Sequence, residues 1–225
     1  MEKLPLTLHQ QAAYDSLRNF ALSEDGGIAT LEGYAGTGKT FLIGRLLNEL
    51  IDNGHFTSTQ LAIAAPTNKA VAVLASKTRE DVPASSIHSL LGLKLKELED
   101  GGQTCVKDGD SSLHNYSVVV VDECSMVSIE IFKNIIYSRR TTKIIFVGDP
   151  AQLPPVGEAQ ISPTFTAVDK RFMLSEVVRQ AADNPIIKMS MVIRKAIEEQ
   201  RRAMGGRSGL RPSMRCSSVG WPVAA

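Results

Sequence analysis

Short apolar segments and helical patterns alternate along most of the chain. Four segments rich in Val, Ile and Ala do not alternate with polar residues, and each precedes a polar or glycine-bearing loop, which is typical of strands buried on both faces of a parallel sheet. They are residues 28–31, 61–65, 118–121 and 144–147. Apolar spacings of three and four predict helices around and between them, at residues 8–22, 39–51, 68–75 and 129–137. The pattern predicts an α/β fold with a mostly parallel, doubly wound sheet, which binds ligands outside the carboxyl ends of its strands.

A polar stretch at residues 91–114 interrupts this alternation. It is rich in Lys, Glu and Asp and carries two turn signals, Gly101-Gly102 and Gly109. These signals predict a small hairpin inserted into the domain, and an unstructured surface loop is the alternative.

The overall charge does not by itself indicate a nucleic-acid partner. The chain has 25 basic and 24 acidic side chains, and five of the arginines lie in residues 201–225, which contain no acid. Removing those five leaves 20 basic against 24 acidic side chains, a net charge of −4 for residues 1–200. A nucleic-acid partner must therefore be argued from local motifs.

Apolar runs and cysteines bear on the compartment of the protein. The longest apolar runs have four to six residues, too few to span a bilayer, and the first residues lack a signal-peptide pattern. The three cysteines, Cys105, Cys124 and Cys216, have no C-x-x-C spacing. We therefore expect a cytoplasmic protein with no membrane partner, no zinc site and no disulfide partner.

Residues 33–40 read Gly-Tyr-Ala-Gly-Thr-Gly-Lys-Thr and match the phosphate-loop pattern G-x-x-x-x-G-K-[ST] in full. A predicted strand precedes the loop and a predicted helix follows it, so backbone N–H groups and the helix N-terminus would face phosphate oxygens. Lys39 is expected to bridge the β- and γ-phosphates of ATP, and Thr40 to bind Mg²⁺. A glycine-rich turn that merely starts a helix is the alternative. The residues predicted to bind nucleotide here are Gly33, Gly36, Thr37, Gly38, Lys39 and Thr40.

Two acids, Asp122 and Glu123, end the all-valine segment at residues 118–121. Asp122 is expected to hold Mg²⁺, and Glu123 to orient and deprotonate the attacking water, because hydrolysis needs a metal ligand and a base side by side. Two acids that only cap the following helix are the alternative.

Several further segments resemble superfamily 1 DNA helicases of the Dda and RecD type, over roughly residues 5–197. Residues 6–12 resemble the Q motif, which implies that Gln10 recognises adenine, although a polar residue on an exposed first helix has the same pattern. Residues 148–156 closely resemble motif III, which implies that Gln152 senses the γ-phosphate. Residues 174–180 resemble motif IV, which implies that Arg179 approaches the γ-phosphate, with a surface arginine as the alternative.

The resemblance also implies contacts with single-stranded DNA. Residues 65–70 resemble motif Ia and residues 85–90 resemble motif Ib, and a strand end with a helix cap, or a structural histidine, would account for them equally. Phe165 lies where Dda-like proteins carry an aromatic near DNA, with core packing as the alternative. The residues implied to contact DNA are Pro66, Thr67, Asn68, His88 and Phe165.

The resemblance implies the RecA-like P-loop NTPase domain of an ATP-dependent, 5′-to-3′ DNA helicase acting in DNA replication or repair. Residues 1–90 and 115–183 would form its domain 1A, and residues 91–114 the small 1B pin. Residues 184–200 would begin a second RecA-like domain that is missing, and residues 201–225 would be a disordered or aberrant tail.

The segments that would carry motifs V and VI have no counterpart here, so we expect weak ATP hydrolysis by the chain alone and no processive unwinding. A nucleotide-dependent module that binds single-stranded DNA without significant turnover is one alternative, and another kind of P-loop ATPase is a second. The sequence is compatible with a monomer.

Overall fold

The computed structural model describes residues 5–24, 26–97, 103–155, 157–158 and 161–176, together with isolated positions between 189 and 199. The chain divides into two compact units, Met1–Ala182 and Asp183–Ala225. The strands and helices below belong to the first unit, and the described positions of the second unit are helical. The predicted domain limits at residues 90, 114, 183 and 200 stay predictions.

The described part of the first unit contains eight strands and five α-helices, besides four short 3-10 helices. The strands are β1 Ile28–Gly33, β2 Leu61–Ala65, β3 Ala84–Ser86, β4 Leu93–Glu97, β5 Gln103–Lys107, β6 Val118–Val121, β7 Lys143–Gly148 and β8 Lys170–Leu174. The helices are α1 Leu8–Leu22, α2 Lys39–Asp52, α3 Asn68–Ala75, α4 Ile87–Leu90 and α5 Ile129–Ser138. Six strands form one sheet in the order β3-β2-β6-β7-β1-β8, and every neighbouring pair is parallel.

Helices cover both faces of this sheet. Successive side chains of its strands point to opposite sides, so neighbouring residues of one strand belong to different cores. Ala29 and Leu31 of β1 belong to a core with α1 and α2, whereas Ile28 belongs to a core with α4 and α5. Strands β1, β2 and β6 are buried along their whole length, which explains their unalternated apolar runs. The predicted α/β fold with a parallel, doubly wound sheet is confirmed.

The insert between α4 and β6 is an antiparallel hairpin formed by β4 and β5, with Leu93 opposite Lys107 and Glu97 opposite Gln103. Leu93 and Cys105 are partly buried against the second core. The hairpin predicted for this insert is therefore present, and the unstructured loop is not.

The predicted role of Phe165 in stacking on DNA is wrong for this structure. Its side chain is 1% exposed and belongs to the second core. A Cβ added to Gly148 would lie 3.2 Å from the ring atom Cζ, so the ring packs directly under the end of β7. A side chain enclosed in this way has no free face to offer a base.

No helix in the described residues is both long and apolar enough to cross a bilayer.

The carboxyl ends of β1, β6 and β7 lie next to one another in the sheet, and each is followed by one of the polar loops singled out above.

Candidate functional site

The loop between β1 and α2 curls around its own lysine. Gly38 has φ +87°, a conformation that L side chains rarely adopt, and α2 begins at the next residue. The Nζ of Lys39 donates to the carbonyl oxygens of Gly33, at 2.7 Å, and Tyr34, at 3.0 Å. The ammonium group is thus held inside the curl of the loop, where oxygen atoms of an anion would compete with these two carbonyls.

Gln10 of α1 is 4% exposed, and its side chain is hydrogen-bonded to this loop. Its Oε1 accepts from the Thr7 N–H at 3.2 Å, as part of a capping box at the start of α1, and its Nε2 donates to the Thr37 carbonyl at 3.0 Å. A Cβ added to Gly38 would lie 2.6 Å from that Nε2. The alternative interpretation of Gln10, as a polar residue on an exposed helix, is therefore excluded. Its predicted contact with adenine stays a prediction.

The loop residues divide into two groups. Gly36, Gly38, Lys39 and Thr40 line a cavity of about 640 Å³, whereas Thr37 is fully buried and donates from Oγ1 to the Tyr34 carbonyl at 2.8 Å. Gly33 lies at the end of β1 and outside the lining. Thr37 and Gly33 therefore shape the loop, and the other four residues face the space in which a ligand would lie.

Asp122 and Glu123 follow β6 and line the same cavity. Glu123 has φ +52°, an uncommon value for a residue with a side chain, and its N–H donates to Oδ1 of Asp122 at 2.9 Å. Burial, helped by the charge of Glu123, raises the pKa of Asp122 to about 6, against the opposing effects of the Glu123 N–H and Lys39. A buried carboxyl of this kind gains from an added cation.

Gln152 and Asp149 reach the cavity from the loop after β7. Oε1 of Gln152 accepts from the hydroxyl of Ser125 at 3.1 Å, and Ser125 itself is 3% exposed. Asp149 is fully buried, and its Oδ1 accepts from the Ala151 N–H at 3.0 Å. The loops after β6 and β7 are thereby tied together beside the two acids.

The cavity combines a cation, oxygen ligands and a base. The hydroxyl of Thr40 and the carboxylate of Asp122 are hard oxygen donors of the kind that Mg²⁺ prefers, and they fit a metal bound together with phosphate oxygens. Lys39 and the loop N–H groups suit the phosphates, and Glu123 is the candidate base.

A second cavity of about 580 Å³ lies between the ends of β2 and β3 and the base of the hairpin. Pro66, Thr67 and Asn68 line it where α3 begins, together with His88 and Lys94. Thr67 also caps α3, since its Oγ1 accepts from the Ala70 N–H at 3.3 Å. Burial lowers the pKa of His88 and thereby favours the neutral form of its ring. Four of the five residues predicted to contact DNA thus share one surface, and Phe165 does not.

Arg179 lies outside the described residues. Ser125 and Asp149 are polar residues at the end of the site near the acids to which the sequence analysis assigned no role. Asp149 could have been found from its place directly after the buried segment that became β7, since a buried acid at a strand end needs a partner. Ser125 offered no signal, because a serine two residues after an acid is common in loops.

Comparison with known proteins agrees with this geometry. A family model described as AAA domain matches residues 6–207. The ATP-dependent DNA helicase dda of Enterobacteria phage T4 is 34% identical over 84% of this chain, and 42% of that protein is covered. The RecBCD enzyme subunit RecD of Mycobacterium tuberculosis is 35% identical over 60% of this chain, and 25% of that protein is covered.

Among solved structures, the Pif1 helicase from Candida albicans shares the fold, with a TM-score of 0.60, 22% identity and coverage of 85% of this chain and 44% of that one. The chain therefore spans less than half the length of these three relatives. The family match, the sequence relatives and the fold agree with one another, so the chain belongs to the AAA-domain family and is a RecA-like domain of the superfamily 1 helicase type.

Proposed function

We propose that this domain binds ATP with Mg²⁺ in the 640 Å³ cavity and single-stranded DNA in the 580 Å³ cavity, as the nucleotide-binding domain of an ATP-dependent DNA helicase. The observation that carries the proposal is the convergence of Lys39, Thr40, Asp122, Glu123 and Gln152 on one cavity. The 5′-to-3′ direction, a role in replication or repair and a cytoplasmic location are further parts of the proposal that rest on the family resemblance.

Binding of the triphosphate would exchange the hydrogen bonds of Lys39. Its ammonium leaves the carbonyls of Gly33 and Tyr34 for the β- and γ-phosphates, and the loop N–H groups and the N-terminus of α2 face the same oxygens. Thr40 and Asp122 would hold Mg²⁺, which would supply positive charge beside the phosphates. The same positive charge would compensate the buried carboxylate of Asp122.

Hydrolysis would use Glu123 and Gln152 on the water that attacks the γ-phosphate. Glu123 takes the proton of the water, and its fixed backbone conformation aims the side chain from the end of β6. Gln152 donates from Nε2 to the water, while its Oε1 accepts from the hydroxyl of Ser125. Gln10 contacts the base, at the end of the cavity that it lines together with Pro5.

The DNA surface would combine the N-terminus of α3 with His88 and the hairpin. Backbone N–H groups at the start of a helix and the ammonium of Lys94 suit phosphates of the strand. The neutral ring of His88 suits a base or a sugar rather than a phosphate.

Slow turnover is part of the proposal. In related sites an arginine that offsets charge in the transition state contributes orders of magnitude to the rate. The described lining of the nucleotide cavity contributes lysines, and Arg179, which the family resemblance places at the γ-phosphate, lies outside the described residues. A nucleotide-dependent single-strand binder with little hydrolysis is the second candidate for the isolated chain.

The test compares three forms of the chain in ATP binding and in steady-state hydrolysis, with and without single-stranded DNA. We expect Lys39→Ala to weaken ATP binding at least about tenfold, because it removes charge-assisted hydrogen bonds. Glu123→Gln should keep ATP affinity and lower turnover at least about a hundredfold.

Absence of ATP binding by the unaltered chain, or equal affinity in the Lys39→Ala variant, would overturn the proposal. Rapid, DNA-stimulated turnover would overturn only the slow-turnover part. Binding of ATP and DNA with no hydrolysis at all would favour the second candidate.

A further inference from the structure

One wall of the nucleotide cavity is apolar and lies outside every motif identified in the sequence. Phe41 of α2 and Val73 of α3 are 38% and 52% exposed, and both line the cavity next to Lys77. Exposed apolar side chains grouped at a concave surface mark a place where a ligand is covered. The phosphate loop and the acids on the other side of the cavity do not account for this wall.

Close packing between α2 and the end of α3 creates the wall. A Cβ added to Gly44 would lie 2.4 Å from the carbonyl oxygen of Lys77, so only glycine permits this approach. Phe41 and Gly44 are three residues apart and share a face of α2, and Val73 precedes Lys77 by four residues. The backbone contact therefore brings Lys77 to the same side of α2 as Phe41.

Side-chain contacts then hold the segment after α3 in place. Asn48 of α2 donates from Nδ2 to the Lys77 carbonyl at 3.4 Å and accepts at Oδ1 from the Arg79 N–H at 3.1 Å. Arg79 also pairs with Asp52 of α2, at 3.2 Å. Because these contacts use the backbone of Lys77 and not its ammonium group, the wall is positioned before a ligand arrives.

The charges around the cavity indicate what this ammonium group is for. The described lining contains three acids, Asp122, Glu123 and Asp149, against two lysines, Lys39 and Lys77. A polyphosphate adds several negative charges to this set, so each cation of the lining contributes to affinity. The ammonium of Lys39 is engaged by carbonyls of the loop, whereas Lys77 belongs to the segment after α3.

We propose that the end of α3 is part of the nucleotide site, where Lys77 pairs with the phosphate chain and Phe41 and Val73 pack against the sugar and base. The proposal rests on the proposed nucleotide binding and adds three contact residues to it. Packing by Phe41 and Val73 depends on the apolar area that they bury and not on hydrogen bonds, so it tolerates any base. Discrimination between bases would then depend on Gln10.

Equilibrium titrations with adenosine, ADP and ATP, without DNA, test the charge. Lys77→Ala is expected to weaken ATP about tenfold and to leave adenosine unchanged, because one charge-assisted contact is lost. Lys77→Arg should retain most of the affinity, and added salt should reduce the difference. Lys69→Ala is the matched control, since Lys69 is an exposed lysine of α3 outside the lining. Equal ATP affinity of the Lys77→Ala and Lys69→Ala variants would overturn the assignment.

The apolar part is tested with Phe41→Ala, which should weaken adenosine, ADP and ATP by a similar factor of about three to ten, while Phe41→Leu loses less. Tyr137→Ala, which removes an aromatic that is 83% exposed and far along the sequence, should change nothing. Equal losses in both alanine variants, or none in either, would contradict the role of Phe41. If the unaltered chain does not bind ATP, both this inference and the proposed function fail. If it binds ATP and only Lys39→Ala weakens binding, this inference alone fails.

Discussion

The hydroxyl of Ser125 donates to Oε1 of Gln152 at 3.1 Å, and this bond joins the loop after β6 to the loop after β7. Ser125 is two residues beyond Glu123 and 3% exposed, so the bond is partly buried and lies beside the proposed base. It fixes the Oε1 end of the Gln152 amide, so in the proposed function Nε2 is the donor to the attacking water.

This bond predicts a specific defect in Ser125→Ala. We expect the rate of ATP hydrolysis in a single turnover to fall about two- to tenfold, which corresponds to one hydrogen bond, while ATP affinity is unchanged. A double-mutant cycle with Gln152→Ala provides the control, since adding Ser125→Ala to that variant should cost nothing more. Additive losses would show that Ser125 acts through some other contact.

Gln10 should affect both nucleotide affinity and folding. Gln10→Ala removes the bond to the Thr37 carbonyl and half of the capping box, so we expect about 1 kcal/mol less stability in urea denaturation and weaker ATP binding. Gln11→Ala is the neighbouring control, because Gln11 is exposed and its side chain donates to Asp15 of its own helix. Its stability should change by less than about 0.5 kcal/mol. If the two variants behave alike, the buried contacts of Gln10 are unimportant.

Phe165 should matter for stability and not for DNA. Phe165→Ala leaves a hole under β7, and we expect a loss of about 3–5 kcal/mol in the free energy of unfolding. Phe165→Leu should cost less than half of that and retain single-stranded DNA affinity in fluorescence anisotropy. A well-folded Phe165→Leu variant that binds DNA much more weakly would restore the stacking role.

His88 should contribute directly to binding of single-stranded DNA. We expect His88→Ala to weaken DNA binding about three- to tenfold at constant salt, as for the loss of one contact with a base or sugar, without changing ATP affinity. His55→Ala is the control, because His55 is exposed and contacts Arg18 away from this cavity. Equal DNA affinities in the two variants would leave His88 with a purely structural role.

The pairing of Arg171 with Glu32 should stabilise the strand that leads to the phosphate loop. Arg171 donates from Nε and Nη2 to the two carboxylate oxygens of Glu32, at 2.6 and 3.0 Å, and Glu32 is 2% exposed. Because Arg171 is largely exposed, we expect Arg171→Ala to cost only about 1–2 kcal/mol. The combined variant Glu32→Gln with Arg171→Ala should recover part of this loss, as measured by urea denaturation. A larger loss in the combined variant would contradict the idea that an uncompensated carboxylate causes the defect.

The central strands could be predicted from the sequence because burial on both faces leaves a continuous apolar run. Predicted and observed limits coincide for β2 and β6 and differ by one or two residues for β1 and β7. Strands β3 and β8 were missed, since they lie at the two edges of the sheet and are short or largely exposed. An edge strand lacks the second buried face that produces the pattern.

The candidate site was predictable where a motif sets the residue types. The order of Lys39, Thr40, Asp122 and Glu123 along the chain indicated one cavity, because parallel strands end at a common edge. The Ser125–Gln152 bond and the approach of Lys77 to α2 depend on how loops and helices pack, and spacing along the chain does not encode such contacts. Phe165 illustrates a different error. The resemblance implied that this aromatic residue contacts DNA, whereas its side chain packs in the second core.

Helix α3 begins in one cavity and ends in the other. Asn68 lines the proposed DNA surface and Val73 lines the nucleotide cavity, and five residues of helix separate them by about 8 Å along the axis. A helix this short is too stiff to absorb a displacement at one end. A shift or tilt imposed on α3 by bound DNA would therefore be transmitted to the sugar and base of the nucleotide, and bound nucleotide would in turn affect the DNA surface. Thermodynamic linkage then requires that each ligand change the affinity of the other by the same factor.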